Sequence, residues 1–192
     1  MTFNKYSLKA QLCLAVIFIP LNFLVSYISG EILALPLFMD MIFVYAGSFF
    51  GIPCGILVGL GHALIEALLI QHNILHSLYG LCSITGTLLT WLLVTRHKEL
   101  SWFRLAFLVF VSTVVISFEG SIIYTLVFAP DTSYNENTTI LFLTYTLLMQ
   151  NIGLQFSAFL ARLPVNIFDK AIAVFGGVGV FVGIQKVWLK KD

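Results

Sequence analysis

Apolar residues divide the chain into seven long runs that are separated by short polar turns. Each run is close to the roughly 20 residues that a helix needs to cross a bilayer. The runs cover about residues 10–29, 32–50, 52–70, 75–94, 103–129, 140–161 and 164–185. The pattern predicts an all-α integral membrane protein, a helical bundle in which residues 1–192 form a single membrane domain.

The overall composition supports this fold class. Of the 192 residues, 59% are hydrophobic and only 10% are charged, and the mean hydropathy is +0.99. Soluble proteins carry roughly 25% charged residues, so this chain could not cover a soluble surface. The net charge of +1, with no basic cluster interleaved with aromatic residues, indicates no nucleic-acid partner. We expect a multi-pass protein of a bacterial or archaeal plasma membrane, in contact with the lipid bilayer.

Basic residues predict how the spans are oriented. Eight of the ten lie in three regions, which hold Lys5 and Lys9, then Arg96, Lys98 and Arg104, then Lys186, Lys190 and Lys191. Because cytoplasmic loops carry the excess of Lys and Arg, all three regions should lie inside the cell. Four spans separate the first two regions, and an even number must separate the second from the third. The sequence therefore predicts six spanning helices with both termini in the cytoplasm.

The segment at 140–161 is the run that is expected not to cross. Its second half contains Gln150, Asn151, Gly153, Gln155 and Ser157, an unusual polar content for a span facing lipid. Polar segments at membrane depth occur where they are buried in protein or line a cavity. We therefore predict a non-spanning or re-entrant segment near 140–161.

With this topology, the polar residues inside the spans converge in the outer half of the membrane. Charged side chains are costly in a bilayer and mark candidate functional sites. The predicted ligand-binding residues are Asp40, His62, Glu66, His72, Asn73, His76, Glu119, Asn151, Gln155 and Asp169. The pattern favours a polar pocket that opens to the outside.

Several of these residues also have a purely structural interpretation. Asp169 and Lys170 are adjacent and could form a local ion pair that stabilises the last helix. His62 and Glu66 are four residues apart, on one helix face, where a contact is possible. The histidines at 72 and 76 could simply be solvated in a turn.

Glycine and alanine spacings predict helix packing or partner docking. Gly51, Gly55 and Gly59 repeat every four residues, as do Gly179 and Gly183. Such stripes let helix backbones approach closely, either inside the bundle or against another membrane protein. Ala10 and Ala15 give the first helix a similar pair of small residues, although they are five apart.

Two stretches resemble the substrate-binding S components of energy-coupling factor (ECF) transporters. Residues 35–61, LPLFMDMIFVYAGSFFGIPCGILVGLG, match the LP-x-x-x-D-like start and glycine-rich turn between the second and third helices of that family. Residues 162–175, RLPVNIFDKAIAVF, match the P-x-x-x-x-D-K-like opening of its last helix. Length, six spans and cytoplasmic termini are also similar, so the resemblance covers most of the chain.

The resemblance implies a membrane subunit that binds a vitamin or precursor near the extracellular face. It also implies partners, namely a transmembrane coupling protein and cytoplasmic ATPases that drive uptake. The chain has no G-x-x-x-x-G-K-[ST] motif and is not expected to be an ATPase or another enzyme. No cofactor and no metal ion are predicted.

Two alternatives remain open from the sequence. Similar membrane regions resemble the sensor parts of bacterial histidine kinases, which suggests a small membrane sensor. An intramembrane metal-dependent hydrolase would use His62-x-x-x-Glu66, with a third ligand from His72, His76 or Glu119, because a metal site needs about three protein ligands.

Overall fold

The computed structural model describes residues 6–97, 100–129 and 138–189, and this part of the chain is helical with no strand. Seven α-helices follow one another: α1 Leu8–Tyr27, α2 Ile42–Phe50, α3 Ile52–Leu69, α4 Gly80–Leu93, α5 Trp102–Ile123, α6 Thr138–Leu148 and α7 Leu154–Leu189. A π-helical turn, Ile28–Ile32, continues α1, and another, Tyr124–Phe128, continues α5. A 3-10 helix, Ile74–Tyr79, leads into α4.

Within the described residues, five helices are long and apolar enough to cross a membrane. They are Leu8–Ile32, Ile52–Leu69, Ile74–His97, Trp102–Phe128 and Leu154–Val187. Their outward faces are apolar: Val16, Phe103 and Phe110 are more than half exposed, as expected for side chains that meet lipid. The chain is therefore an all-α, multi-pass membrane protein.

The predicted second span, 32–50, differs from expectation because it is not one continuous helix. A segment without regular secondary structure at 33–41 precedes the nine-residue helix α2, which is only about 14 Å long. Pro36 disfavours helical geometry at the residue before it. Ala34 and Met39 have positive φ angles of 49° and 48°, which also interrupt a helix.

Helix α2 forms the centre of the bundle. Seven of its nine residues, Val44 to Phe50, are buried, and it packs against α1, α3, α4 and α7. Its neighbours contribute large buried side chains such as Phe18 and Phe181, which lie with Phe50 in one core cluster. A short, mostly apolar helix is thus stable here because other helices, not lipid, surround it.

The predicted non-spanning segment at 140–161 also differs in detail. Helix α6 has 11 residues and is too short to cross, whereas residues 154–161 are the first turns of the 36-residue helix α7. The turn between them contains Asn151 in a left-handed conformation, with φ of 61°, which asparagine tolerates better than most residues. Gln155 and Ser157 therefore belong to the last helix, whereas Gln150, Asn151 and Gly153 lie in the turn before it.

Some residues used to predict the orientation lie outside the described part of the chain. These are Lys5, Lys98, Lys190 and Lys191. The described basic residues Lys9, Arg96, Arg104 and Lys186 lie near helix ends at one end of the bundle, because α1 and α5 begin there and α4 and α7 end there.

Candidate ligand-binding cavity

A cavity of about 620 Å³ opens at the end of the bundle opposite these basic residues. Its wall is formed by the last turns of α1 and α3, the beginning of α4, the second half of α5, the first half of α7 and the non-helical segment at 33–41. Cavities of 300–1,000 Å³ are typical of small-molecule sites. The position and size therefore identify this cavity as the candidate ligand site.

One wall is a polar stripe on α7. Arg162, Asn166 and Lys170 are spaced four residues apart, so they share one helix face, and all three line the cavity although each is at most 3% exposed overall. The Arg162 guanidinium donates to the carbonyl of Ala158 at 3.0 Å and lies 4.9 Å from the centre of the Tyr124 ring.

Asn166, in the middle of this stripe, joins α7 to α5. Its amide donates to the Ser117 hydroxyl at 2.8 Å, and its main-chain carbonyl accepts from Thr113 at 3.5 Å. These contacts hold α7 in a fixed rotation, which keeps the stripe directed at the cavity.

Lys170 is held by two carboxylates. Its ammonium donates to Asp169 at 2.6 Å and lies 3.7 Å from Asp40, which belongs to the segment at 33–41. Asp169 is fully buried, and its second oxygen accepts from the main-chain N–H of Met39 at 2.7 Å. The predicted ion pair thus forms and also connects α7 to the segment at 33–41.

Two further residues hold the segment at 33–41 in place. Asn22, fully buried on α1, donates to the carbonyl of Asp40 and accepts from the N–H of Phe43 at 2.9 Å. Ser29 donates to the carbonyl of Leu37 at 3.1 Å. Side chains therefore satisfy main-chain groups that a continuous helix would have satisfied internally.

The opposite side of the cavity contains Glu66 between two histidines. The Nε2 atom of His62 lies 3.2 Å from one Glu66 oxygen, and the Nε2 atom of His76 lies 3.8 Å from the other. Glu66 and His76 line the cavity, and His62 lies behind them, 2% exposed. The described residues contain no group of three His, Cys, Asp or Glu side chains arranged to hold a metal ion.

Aromatic rings complete the lining. Phe23 and Tyr27, one turn apart on α1, stack with ring centres 6.0 Å apart. Tyr79 stacks on Phe128 at 5.7 Å with nearly parallel planes. Phe23, Tyr27 and Tyr79 line the cavity and, with His76, give it flat surfaces beside its charged groups.

The structure brings together some of the ten predicted ligand-binding residues. Asp40, Glu66 and His76 line the cavity, and His62 and Asp169 contact those lining groups or their neighbours. The other five do not line it. They are His72, Asn73, Glu119, Asn151 and Gln155.

Each residue outside the lining has another place in the fold. His72 and Asn151 are exposed in turns, and Asn73 caps the 3-10 helix by accepting from the N–H of Leu75 at 3.0 Å. Gln155 donates to Ser121 at 2.9 Å and accepts from Thr125, which joins α7 to α5. Glu119 lies between α5 and α4, near Thr85 and Cys82.

The glycine stripe at the start of α3 packs against neighbouring helices. A β-carbon at Gly59 would lie 2.2 Å from the β-carbon of Ser83 on α4, and one at Gly55 would clash with the Ser48 hydroxyl on α2 and lie 2.7 Å from the Thr87 hydroxyl on α4. A β-carbon at Gly51 would lie 2.2 Å from the side-chain oxygen of Gln11 on α1. The stripe is therefore used for close packing inside the bundle.

The other small residues are placed differently. Gly179 and Gly183 have open space where a β-carbon would lie. The close approach of α7 to α2 occurs instead at Gly177, where a β-carbon would lie 2.9 Å from the main chain of Ala46. On α1, Ala15 is buried in the core and Ala10 is half-buried.

Arg162, Asn166 and Lys170 were not among the predicted ligand-binding residues. Their i, i+4, i+8 spacing is visible in the sequence and was the available signal. The aromatic residues Phe23, Tyr27 and Tyr79 carry no such signal, because aromatic residues are frequent throughout the chain.

Comparison with protein-family models, curated proteins and solved structures finds no match to this chain.

Proposed function

We propose that this protein is the substrate-binding subunit of an ATP-driven ECF-type transporter that takes up a vitamin or vitamin precursor. The observation that carries the proposal is the cavity, which combines buried charges with aromatic walls at the end of the bundle away from the basic helix ends. The protein around these buried charges has a lower dielectric constant than water, so each polar contact with a ligand is strengthened.

The proposed topology has six crossings with both termini in the cytoplasm. The segment at 33–41 and α2 together supply the second crossing, of which α2 covers about 14 Å. The basic helix ends then lie in the cytoplasm and the cavity opens outside.

A subunit of this kind acts with a transmembrane coupling protein and cytoplasmic ATPases. The unfilled positions at Gly179 and Gly183 support docking on the outer face of α7, where Gly183, Ile184 and Val187 border a groove against α1. The α1 residues Leu14, Ile17 and Phe18 form the other side of this groove.

Binding by the purified chain tests the proposal. The full-length protein in detergent or nanodiscs is expected to bind one vitamin or precursor saturably without ATP and to show a higher unfolding temperature with it. Ligand binding to the folded state alone raises stability by about 2.7 kcal/mol at a hundredfold excess over Kd. If no compound of a broad micronutrient panel binds, the proposal is wrong.

Partner capture provides an independent test. A tagged chain expressed in its native cell is expected to co-purify with a coupling protein and ATPases. Recovery of a histidine kinase in place of these would support the sensor alternative. The variant Gly179→Leu with Gly183→Leu should abolish co-purification of the coupling protein while the purified chain still binds its ligand.

A further inference from the structure

The charges of the cavity end indicate which class of ligand it takes. Outside the three basic regions, the sequence stretches 10–95 and 105–170 contain only two basic residues, Arg162 and Lys170. The same stretches contain seven of the nine acidic residues of the chain, namely Glu31, Asp40, Glu66, Glu119, Asp131, Glu136 and Asp169. The sequence between the basic regions is therefore rich in acidic residues.

The same excess holds at the cavity itself. Lys170 is matched by two carboxylates, Asp169 and Asp40, so this group of three carries one net negative charge. Glu66 adds a second, next to two imidazoles, and Glu31 adds a third where α1 ends.

Arg162 is the other basic residue that lines the cavity, and its single positive charge leaves the lining negative. The sum remains negative even when one imidazole is protonated. A low-dielectric cleft with charge of one sign concentrates ligands of the opposite sign.

Asp40 has an acceptor suited to such a ligand. Its Oδ1 atom is buried and has no hydrogen-bond donor among the described residues, and the Lys170 ammonium 3.7 Å away is beyond hydrogen-bond distance. Asp40 also lies within electrostatic range of Glu66 and His62. A donor group bound beside Asp40 would satisfy this oxygen and would also interact with the negative charge of Glu66.

The aromatic lining favours the same class. Phe23, Tyr27 and Tyr79 line the cavity together with the two carboxylates. Aromatic ring faces attract cations, and the attraction increases when the cation is desolvated. Recognition of organic ammonium ligands is a common use of such aromatic faces.

Building on the proposed uptake function, we propose that the ligand is a small organic cation, an amine or a positively charged heteroaromatic ring. Its positive group lies between Asp40 and Glu66, and its flat part lies against Phe23, Tyr27 and Tyr79. Lys170 and Arg162 have structural roles. Lys170 joins α7 to the segment at 33–41, and Arg162 packs on Tyr124.

A panel of compounds separates this inference from the proposed function. Pyridoxamine, pyridoxine and 4-pyridoxate share one ring that carries an amine, a hydroxyl or a carboxylate. Thiamine and choline add permanent cations, and riboflavin, biotin and pantothenate add neutral and anionic compounds. Each is tested for saturable binding and thermal stabilisation of the purified full-length chain.

The expected result is that the compounds that bind are cations. If the strongest ligand is neutral or anionic, the inference is overturned while the uptake proposal stands. If no compound binds, the uptake proposal fails, and the inference that rests on it fails with it.

Variants test the position of the positive group. Asp40→Asn and Glu66→Gln should each weaken binding of the cationic ligand about tenfold or more. Each replaces a negatively charged acceptor with a neutral amide of nearly the same shape. Glu119→Gln is the matched control, since Glu119 lies outside the cavity lining, and its Kd should be unchanged. Equal affinity of all four proteins would overturn the inference. If a variant fails to fold, wild-type affinity for pyridoxamine against pyridoxine still decides the question.

Discussion

The fully buried carboxylate of Asp169 accepts a hydrogen bond from the main-chain N–H of Met39, 130 residues earlier in the chain, at 2.7 Å. Its other oxygen accepts from Lys170 at 2.6 Å. Asp169 thus contacts both the next residue of α7 and the segment at 33–41, which lines the cavity. Asp169 shapes the site without lining it, and its loss would affect the fold before it affects a ligand.

Removing either partner of this pair should strongly destabilise the protein. Lys170→Met leaves Asp169 buried without its cation, and Asp169→Asn leaves Lys170 with Asp40 alone. Breaking a buried ion pair by removing one partner costs about 3–5 kcal/mol. Thermal unfolding of the purified variants in one detergent measures this loss.

The double variant is the control for this prediction. Asp169→Asn with Lys170→Met leaves no unpaired charge between the two positions and should lose less stability than the single variants added together. Strictly additive losses would show that the two residues stabilise the protein independently.

Close packing of α3 on α4 depends on Gly59. In Gly59→Ala, the new β-carbon would lie 2.2 Å from that of Ser83, so the helices must separate. We expect a loss of about 1–3 kcal/mol, the usual effect of overpacking a core. Gly183→Ala is the control, since it has open space at that position and should unfold at or slightly above the wild-type temperature. Equal unfolding temperatures for both variants would contradict this packing.

Asn22 should hold the segment at 33–41 in a fixed conformation. It bonds the main chain at Asp40 and at Phe43, and Asn22→Ala removes both bonds. Leaving buried main-chain groups without partners costs about 1–3 kcal/mol each. Hydrogen exchange followed by mass spectrometry is expected to show faster exchange in 33–43.

The comparison variant for Asn22 is Asn73→Ala, which removes only a cap in the turn before α4. Exchange in 33–43 should then match the wild type. An Asn22→Ala protein with unchanged protection there would show that other contacts hold the segment.

Labelling of single cysteines tests the topology. Cys13, Cys54 and Cys82 are first replaced by serine or alanine. A cysteine at His72, which is exposed in the turn before α4, should react with a membrane-impermeant maleimide in intact cells. A cysteine at Lys9, at the start of α1, should react only after permeabilisation. Reaction of the Lys9→Cys chain in intact cells would contradict cytoplasmic placement of the amino terminus.

Much of the fold could be predicted from apolar run length alone. Long apolar runs predicted a multi-pass helical protein, which the five membrane-length helices confirm. The break at 33–41 was harder to predict, because the run at 32–50 is long and mostly apolar, with Asp40 and Ser48 as its few polar residues. That break depends on hydrogen bonds from Asn22 and Asp169, which are distant in sequence.

The site was predicted in part, for a similar physical reason. Depth in the membrane placed Asp40, Glu66 and His76 at one end of the bundle, but depth does not determine which way a helix face points. Gln155 has the same depth signal, yet it faces Ser121 on α5. Asn151 has the signal too, yet it forms an exposed turn, because residues 149–153 connect two helices.

Filling the cavity tests the central claim most directly. Gly120 lines the cavity, and a β-carbon there would make only ordinary contacts, the nearest at 3.6 Å from Arg162. Gly120→Leu should therefore keep the fold while its side chain occupies the ligand space. Gly179→Leu, on the open face of α7, is the matched control.

The decisive measurement is isothermal titration of the ligand found in the micronutrient panel into these two variants and the wild type. The account predicts one saturable site in the wild type and in Gly179→Leu, and no measurable binding in a folded Gly120→Leu protein. Undiminished binding to Gly120→Leu would contradict the assignment of the cavity as the ligand site.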